Sequence, residues 1–183
     1  MATELPANAQ LIERFISDNN FTNGVELGVR EADLSRYLLN KFDNLHLVVV
    51  DLWSQGGFSD KMNDIYNHSE NERISRERLE PYKERVEILR MATHLAADNY
   101  DDKSFDFVYI DSSHVGDCVT REINAWYPKL KDTGIMCGHD YCDAWGGTYK
   151  EAIDKFCGNN LVDMGNVDDS SWFCWKKYIN IGE

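Results

Sequence analysis

The sequence is poor in the features that mark membrane, secreted and zinc-binding proteins. It has no apolar run that approaches the roughly 20 residues a helix needs to span a bilayer. Its first residues, Met1–Pro6, lack the basic start and the apolar stretch of a secretory signal. Its five cysteines are odd in number and no two have Cys-x-x-Cys spacing, so we expect free thiols rather than a zinc site. These absences predict a cytoplasmic protein in a reducing compartment.

Positive charge is also scarce. Lysine and arginine number 19 against 32 aspartates and glutamates, which gives a formal net charge of −13. Such a surface repels phosphate backbones and anionic lipids, so we expect no nucleic-acid partner and no membrane partner. A local basic cluster in residues 73–90 is interpreted as a solvated helix face, since Arg76 with Glu80 and Lys83 with Glu87 have i,i+4 spacing.

The length and composition fit one globular domain. Of the 183 residues, 43% are hydrophobic and 28% are charged, which is enough to bury a core and too apolar for a disordered chain. We therefore expect a single domain over residues 1–183, present as a monomer or a homodimer.

Short apolar runs alternate with segments of helical periodicity along the chain. The predicted strands are 25–29, 45–50, 86–89, 105–110, 135–137, 161–164 and 172–175. The predicted helices are 11–16, 34–39, 62–66, 76–82, 93–97, 115–126 and 149–156, with turns at Gly24 and at 132–134. Repeated strand-helix units predict a parallel sheet with helices on both faces, and two closely spaced final strands predict an antiparallel pair. The expected fold is α/β, a doubly wound, seven-stranded and mostly parallel sheet with an antiparallel C-terminal strand.

Polar residues and a glycine follow the predicted strands. In doubly wound sheets, ligands bind at the carboxyl ends of the strands. Gly28 ends the first strand and permits a sharp turn with close ligand approach. Asp51 ends the second strand and can accept hydrogen bonds from ribose hydroxyls. Asp111 and His114 follow the fourth strand, and His139 and Asp140 follow the fifth, so we expect these four side chains to converge.

The glycine pattern discriminates between nucleotide cofactors. A pyrophosphate-binding turn needs G-x-G-x-x-G, and residues 28–33 supply only Gly28. Three acids stand near it: Glu26, Glu31 and Asp33. Anionic surroundings disfavour a pyrophosphate and tolerate a cationic sulfonium, which argues against a dinucleotide cofactor.

These motifs resemble those of the class I S-adenosylmethionine-dependent methyltransferases. Val25–Val29 looks like their first motif, and Asp51–Trp53 looks like their acidic ribose motif. Segments 105–114, 126–134 and 138–141 resemble the small methyltransferases related to sugar and macrolide O-methylating enzymes. The resemblance implies a Rossmann-like fold and transfer of a methyl group from S-adenosylmethionine to a small-molecule acceptor, with a hydroxyl oxygen as the expected acceptor.

The resemblance also implies a role for each matching position. The predicted cofactor-binding residues are Glu26, Gly28, Val29, Ser35, Asp51, Leu52, Ala92, Thr93 and Asp111. The resemblance places Glu26, Gly28 and Ser35 at the methionine end of the cofactor and Asp51 at the ribose. It places Leu52, Ala92 and Thr93 at the adenine, and Asp111 beneath the sulfonium. Ala32 departs from the family, which usually has a second glycine there, and its methyl group would narrow the pocket.

Methyl transfer to a hydroxyl requires alignment of the reactants and removal of a proton. The predicted catalytic residues are His114, His139 and Asp140, because imidazole titrates near neutral pH and can serve as the base. Asp111 and Asp140 are also the predicted ligands of a Mg²⁺ ion, since carboxylates at these strand ends hold that ion in related enzymes. Two carboxylates make a sparse magnesium site, so a metal-assisted and a histidine-only mechanism both stay open.

Three other functions are compatible with parts of the sequence and compete with methyl transfer. A nucleotide-dependent oxidoreductase lacks its glycine-rich turn. A metal-dependent hydrolase built on Asp111, His114, His139 and Asp140 leaves Asp51 without a purpose. A catalytically silent cofactor-binding domain would keep the fold without turnover.

The aromatic residues of the polar segment 54–85 and its flank have two interpretations. They could line an acceptor pocket, but packing of this segment onto the sheet is the favoured interpretation. The residues concerned are Trp53, Phe58, Tyr66 and Tyr82.

Overall fold

A computed structural model describes residues 9–54, 67–143, 147–160, 162–163, 170–179 and 181. These residues form a central sheet with helices on both faces. The helices are α1 (Ala9–Asn19), α2 (Asp33–Lys41), α3 (His68–Leu79), α4 (Thr93–Ala96), α5 (Gly116–Trp126) and α6 (Thr148–Cys157). The strands are β1 (Asn23–Leu27), β2 (His46–Asp51), β3 (Val86–Arg90), β4 (Phe105–Ile110), β5 (Leu130–Gly138), β6 (Val162–Asp163) and β7 (Trp172–Trp175).

The sheet has seven strands in the order β3-β2-β1-β4-β5-β7-β6. Neighbouring strands from β3 to β5 are parallel, whereas β7 runs antiparallel to both β5 and β6. This arrangement confirms the predicted doubly wound, mostly parallel sheet with an antiparallel C-terminal strand. The chain reverses its direction of strand addition between β1 and β4, which creates the crevice where such sheets bind ligands.

Both faces of the sheet are covered, which explains why its strands are almost continuously apolar. All six residues of β4 are buried. Val108 and Ile110 pack with α5 and α6 in one core cluster, while Phe107 and Tyr109 pack with α1 and α2 in the other. Burial of each such side chain contributes about 1.5–3 kcal/mol.

Strand β5 is longer than predicted. It begins at Leu130 rather than Ile135, so the predicted turn at 132–134 lies within the strand. The pairing with β4 shifts register there, from Phe105 opposite Leu130 to Phe107 opposite Ile135. Over this interval β5 contains three more residues than β4, so the ladder between the two strands is irregular there.

The basic segment also differs from its prediction. Helix α3 starts at His68 and ends at Leu79, and a short 3₁₀ turn over residues 80–82 follows it. Because the helical periodicity breaks there, Arg76 pairs with Glu72 and Lys83 pairs with Glu80, rather than with the predicted partners. The helix predicted at 62–66 lies outside the described residues. None of the described helices is long and apolar enough to cross a membrane.

Gly24 is a strand residue rather than the predicted turn residue. It is the second residue of β1 and stands opposite Phe107 of β4. A Cβ atom placed on Gly24 would lie 2.0 Å from Cζ of the Phe107 ring. The ring is itself held by stacking on Phe21, with centroids 6.4 Å apart. Glycine is therefore required here because an aromatic ring occupies the space of its side chain.

We predict that Gly24→Ala destabilises the protein by about 1–3 kcal/mol, because the added methyl group overpacks the core. Chemical denaturation would measure the change in the free energy of unfolding. The double variant Gly24→Ala/Phe107→Leu should lose less stability than the sum of its two single variants, since a smaller side chain at 107 makes room. Additive losses would contradict the steric explanation.

Candidate functional site

The carboxyl ends of β1 and β4 meet at Gly28, which lies just beyond β1. Its φ of +87° is a left-handed conformation that favours glycine. A Cβ atom there would lie 2.2 Å from the backbone oxygen of Asp111. The Gly28 amide donates to the carbonyl of Val50, and the Asp111 amide donates to the carbonyl of Leu27. The turn after β1 is thus fixed between the ends of β2 and β4.

Asp51, at the end of β2, holds this turn through its carboxylate. Oδ2 accepts hydrogen bonds from the amides of Val29 and Arg30 at 2.8 and 2.9 Å. Oδ1 accepts one from the amide of Trp53 at 2.8 Å. An ionised carboxylate offers about four acceptor positions, so the turn uses three of them. Among the described residues, these three bonds leave the carboxylate with acceptor capacity for a ligand hydroxyl.

Several residues around the turn adopt left-handed backbone conformations that are costly for side chains other than glycine. They are Arg30 (φ 51°), Ala32 (φ 61°) and Trp53 (φ 40°). The conformation of Ala32 gives a physical reason for a glycine at this position. Trp53 is 2% exposed and its indole donates to the carbonyl of Arg30, so it packs beneath the turn.

A basic side chain from α3 partly neutralises the acids of this turn. Arg78 Nη1 lies 3.0 Å from Asp33 Oδ1 and 3.4 Å from Glu31 Oε2, and it also donates to the Glu31 carbonyl. The sequence alone indicates unpaired negative charge here, because 45 or more residues separate Arg78 from the two acids. Glu26 of β1 is the third acid near the Gly28 turn.

Glu26 is a buried carboxyl group, 5% exposed, beneath the turn. Its Oε2 accepts a short hydrogen bond from the Ser35 hydroxyl of α2. Burial raises the pKa of Glu26 to about 8, the Ser35 hydrogen bond opposes the shift, and the charges of Asp111 and Asp51 add to it. Glu26 is therefore largely protonated at neutral pH until a cation approaches it.

The residues predicted for adenine border the turn on the β3 side. Leu52 is 39% exposed directly after β2. The amide of Met91 donates to the carbonyl of Asp51 at 3.1 Å, which brings the end of β3 beside the end of β2. Ala92 and Thr93 follow, and Thr93 begins α4. Leu52, Ala92 and Thr93 thus follow the neighbouring carboxyl ends of β2 and β3.

A second group of side chains follows β4 and β5. His114 Nε2 lies 2.8 Å from Asp140 Oδ2 and 3.9 Å from Asp111 Oδ1. His139 Nδ1 lies 3.4 Å from Asp140 Oδ2. Burial alone would raise the pKa of Asp140, but hydrogen bonds from both histidines outweigh it and hold that pKa below its usual range. The structure thus brings together all four residues that the sequence predicted to converge.

Three of these residues could hold a metal ion. Asp111, His139 and Asp140 each offer one ligand atom, and these atoms lie within 4.8 Å of one another. The sequence predicted the two carboxylates as ligands, and the structure adds an imidazole to them. Two oxygens and one nitrogen suit a divalent cation such as Mn²⁺ at least as well as Mg²⁺. The donor set therefore fits a metal ion.

Tyr149 of α6 supports this group, although nothing in the sequence singled it out. It is 1% exposed, and its hydroxyl donates to the carbonyl of His139 at 3.0 Å. The indole of Trp172 donates to the same hydroxyl at 3.3 Å. Its ring stands edge-on to His114, with centroids 5.4 Å apart. Tyr149, which Trp172 of β7 contacts, thus touches the backbone of His139 and the ring of His114.

Two other predicted cofactor-binding residues have buried side chains. Val29 is 4% exposed and Ser35 is 0% exposed. Tyr82 packs against the core and donates to Asn40, as the packing interpretation predicted. Phe58 and Tyr66 lie outside the described residues.

The chain matches one protein family by sequence. The family, described as a methyltransferase domain, matches residues 25–141, from β1 to the turn after β5. This span is more than half of the chain. No curated protein matches the chain in sequence.

Solved structures share the fold at low sequence identity. A protein from Staphylococcus aureus, described as a candidate caffeoyl-CoA O-methyltransferase, is 17% identical, with a TM-score of 0.66 over 92% of this chain and 83% of that chain. A SAM-dependent O-methyltransferase from Thermotoga maritima is 11% identical, with a TM-score of 0.62 over 94% and 66%. Spermidine synthase from Thermotoga maritima is 16% identical, with a TM-score of 0.57 over 87% and 54%. At such identities the likeness shows the fold alone.

We predict that Glu26 makes the protein less stable as the pH rises. Its pKa is about 8 in the folded chain and near the ordinary 4.5 in the unfolded chain. Between these values the folded state binds more protons, so the free energy of unfolding falls from pH 5 to pH 8, by on the order of a few kcal/mol. Thermal or urea unfolding across this range should show a shallower fall for Glu26→Gln. Equal slopes for the two proteins would contradict the prediction.

Proposed function

The chain belongs to this methyltransferase domain family, whose members depend on S-adenosylmethionine, and from that premise we propose that the acceptor is a hydroxyl oxygen of a small molecule. The observation that carries the proposal is the His114–Asp140 pair at the ends of β4 and β5. A hydroxyl is a poor nucleophile until its proton is removed, and an imidazole held by a carboxylate is suited to remove it.

The turn after β1 supports the cofactor half of the proposal. A sulfonium carries positive charge, and Glu26, Asp51 and Asp111 place three acidic groups around the crevice. Asp51 would bind a ribose hydroxyl with its remaining acceptor position, while Leu52 would pack on the adenine. Glu26 would ionise as the positively charged methionine end approaches, since a nearby cation lowers the pKa of a carboxyl.

His114 and Asp140 would carry out the proton transfer. The acceptor hydroxyl would lie in line with the methyl carbon, its oxygen would form the new bond, and the carbon–sulfur bond would break. The proton would pass to Nδ1 of His114, since Nε2 faces Asp140 Oδ2 at 2.8 Å, and the carboxylate of Asp140 would stabilise the resulting imidazolium. Tyr149 would keep the imidazole in orientation through its ring contact.

A divalent cation would assist this acceptor site. Asp111, His139 and Asp140 would hold it, and the ion would supply positive charge that lowers the pKa of a neighbouring hydroxyl. Two carboxylates alone make a sparse site, and the imidazole of His139 completes a third position. A metal-dependent hydrolase would use the same three residues but gives no role to the Gly28 turn or Asp51.

The remaining sequence predictions belong to the proposal as well. We propose a single domain over residues 1–183, a cytoplasmic location and a monomeric or homodimeric state. The net charge of −13 supports the absence of a nucleic-acid partner.

We predict that the protein binds S-adenosylhomocysteine saturably and that Asp51→Ala weakens this binding by about tenfold or more, because a ribose hydrogen bond is lost. Isothermal titration calorimetry would measure the affinity. Asp51 also holds the turn, so thermal unfolding of each variant must be recorded. Asp43→Ala removes an equal charge from an exposed position before β2 and should bind normally. Failure of the unaltered protein to bind would overturn the proposed cofactor.

The cation site gives a separate prediction. Titration with Mn²⁺, followed by electron paramagnetic resonance, should show one bound ion, and Asp111→Asn should weaken its binding about tenfold or more. Asp143→Asn is the matched control, because that carboxylate lies on the neighbouring loop with 82% of its side chain exposed. Equal affinities of the unaltered protein and Asp111→Asn for Mn²⁺ would exclude this ion site. Proton removal would then depend on the His114–Asp140 pair without a metal ion.

A further inference from the structure

Helix α5 carries a buried carboxyl group that the proposed reaction does not use. Glu122 is 2% exposed. Its Oε1 accepts a short hydrogen bond from the hydroxyl of Thr93 and another, at 2.5 Å, from the hydroxyl of Ser112. Thr93 follows β3 and Ser112 follows β4, so Glu122 joins two of the segments that border the crevice.

Helix α5 holds Thr93 at two points. Trp126, one turn after Glu122 on the same face, donates from its indole to the carbonyl of Thr93 at 2.9 Å. The Thr93 backbone and the Thr93 hydroxyl are therefore both fixed by one rigid helix. Because Met91 is bonded to Asp51, this fixed residue lies beside the end of β2 and the exposed Leu52.

The shared acceptor determines the direction of both hydroxyl groups. A carboxylate can only accept, so the hydrogens of Thr93 and Ser112 must point at Oε1. With Glu122 ionised, the oxygen of Thr93 keeps only its lone pairs for a ligand.

Burial of this carboxyl group is costly. Its removal from water raises the pKa of Glu122 to about 7, although the Ser112 and Thr93 hydroxyls oppose the shift. An apolar side chain of similar size would fill the same space without that cost. A residue that lowers stability in a core helix, and that contacts two crevice segments, fits a role in ligand recognition.

We propose that Glu122 is a positioning residue that makes the protein selective for a 6-aminopurine cofactor. By taking the Thr93 hydrogen, it leaves the Thr93 oxygen as an acceptor for the amino group of adenine. A 6-oxopurine presents an acceptor at the same position, and two acceptors repel each other. This inference rests on the proposed function, because it assumes that the adenine lies against Thr93.

The test compares binding of S-adenosylhomocysteine with that of its 6-oxo analogue, S-inosylhomocysteine, by calorimetry. The unaltered protein should prefer the adenosyl compound by on the order of tenfold or more. Thr93→Val and Glu122→Met should each reduce the preference to about threefold or less, and Thr93→Ser should keep it. Since Glu122 acts through Thr93, the double variant Thr93→Val/Glu122→Met should show no further loss.

The control is Val119→Ala, a fully buried position on the same helix that should lower the unfolding temperature and leave the preference unchanged. If Glu122→Met does not fold, Glu122→Leu, which likewise offers the Thr93 hydroxyl no acceptor, replaces it and should also lower the preference. An unchanged preference in folded Glu122 variants would reduce Glu122 to a structural residue and overturn the inference. If the unaltered protein binds neither compound, the proposed cofactor site fails and the inference fails with it.

Discussion

The close backbone approach between Gly28 and Asp111 is the constraint on which the rest of the site depends. A Cβ atom on Gly28 would lie only 2.2 Å from the backbone oxygen of Asp111. Because glycine has no such atom, the turn after β1 can lie directly against the end of β4. This contact brings Asp51, which holds the turn, toward the acidic and imidazole groups that follow β4 and β5. The side chains around the Gly28 turn and those that follow β4 and β5 meet because these two strand ends touch.

Unfavourable electrostatics are concentrated at the same place. Glu26 and Glu122 are buried carboxyl groups whose pKa values burial raises to about 8 and about 7. Asp140 shows the opposite shift, because two imidazoles lie within 3.4 Å of it. The large pKa shifts among the described acids, those of Glu26, Glu122 and Asp140, thus lie around one crevice.

Local patterns predicted most of the fold and the positions of the strand-end residues. The apolar runs gave the order of the strands, and the topology of parallel sheets then predicted that Asp111, His139 and Asp140 would converge. Contacts between residues distant in the chain could not be predicted in this way. Gly24 is a glycine because of a ring 83 positions away, and Tyr149 matters because of one carbonyl that it meets only in the folded chain.

The position of β7 between β5 and β6 has a consequence for synthesis on the ribosome. β5 gains its second neighbour only after residues 172–175 have emerged, so its edge stays open while more than thirty later residues are made. Trp172 reaches Tyr149 and the space above Gly138 from this last strand. The crevice on the β1–β3 side can thus take shape early, whereas the His139 side is completed last. An exposed strand edge favours pairing with other chains, so the nascent protein is most prone to aggregation in that interval.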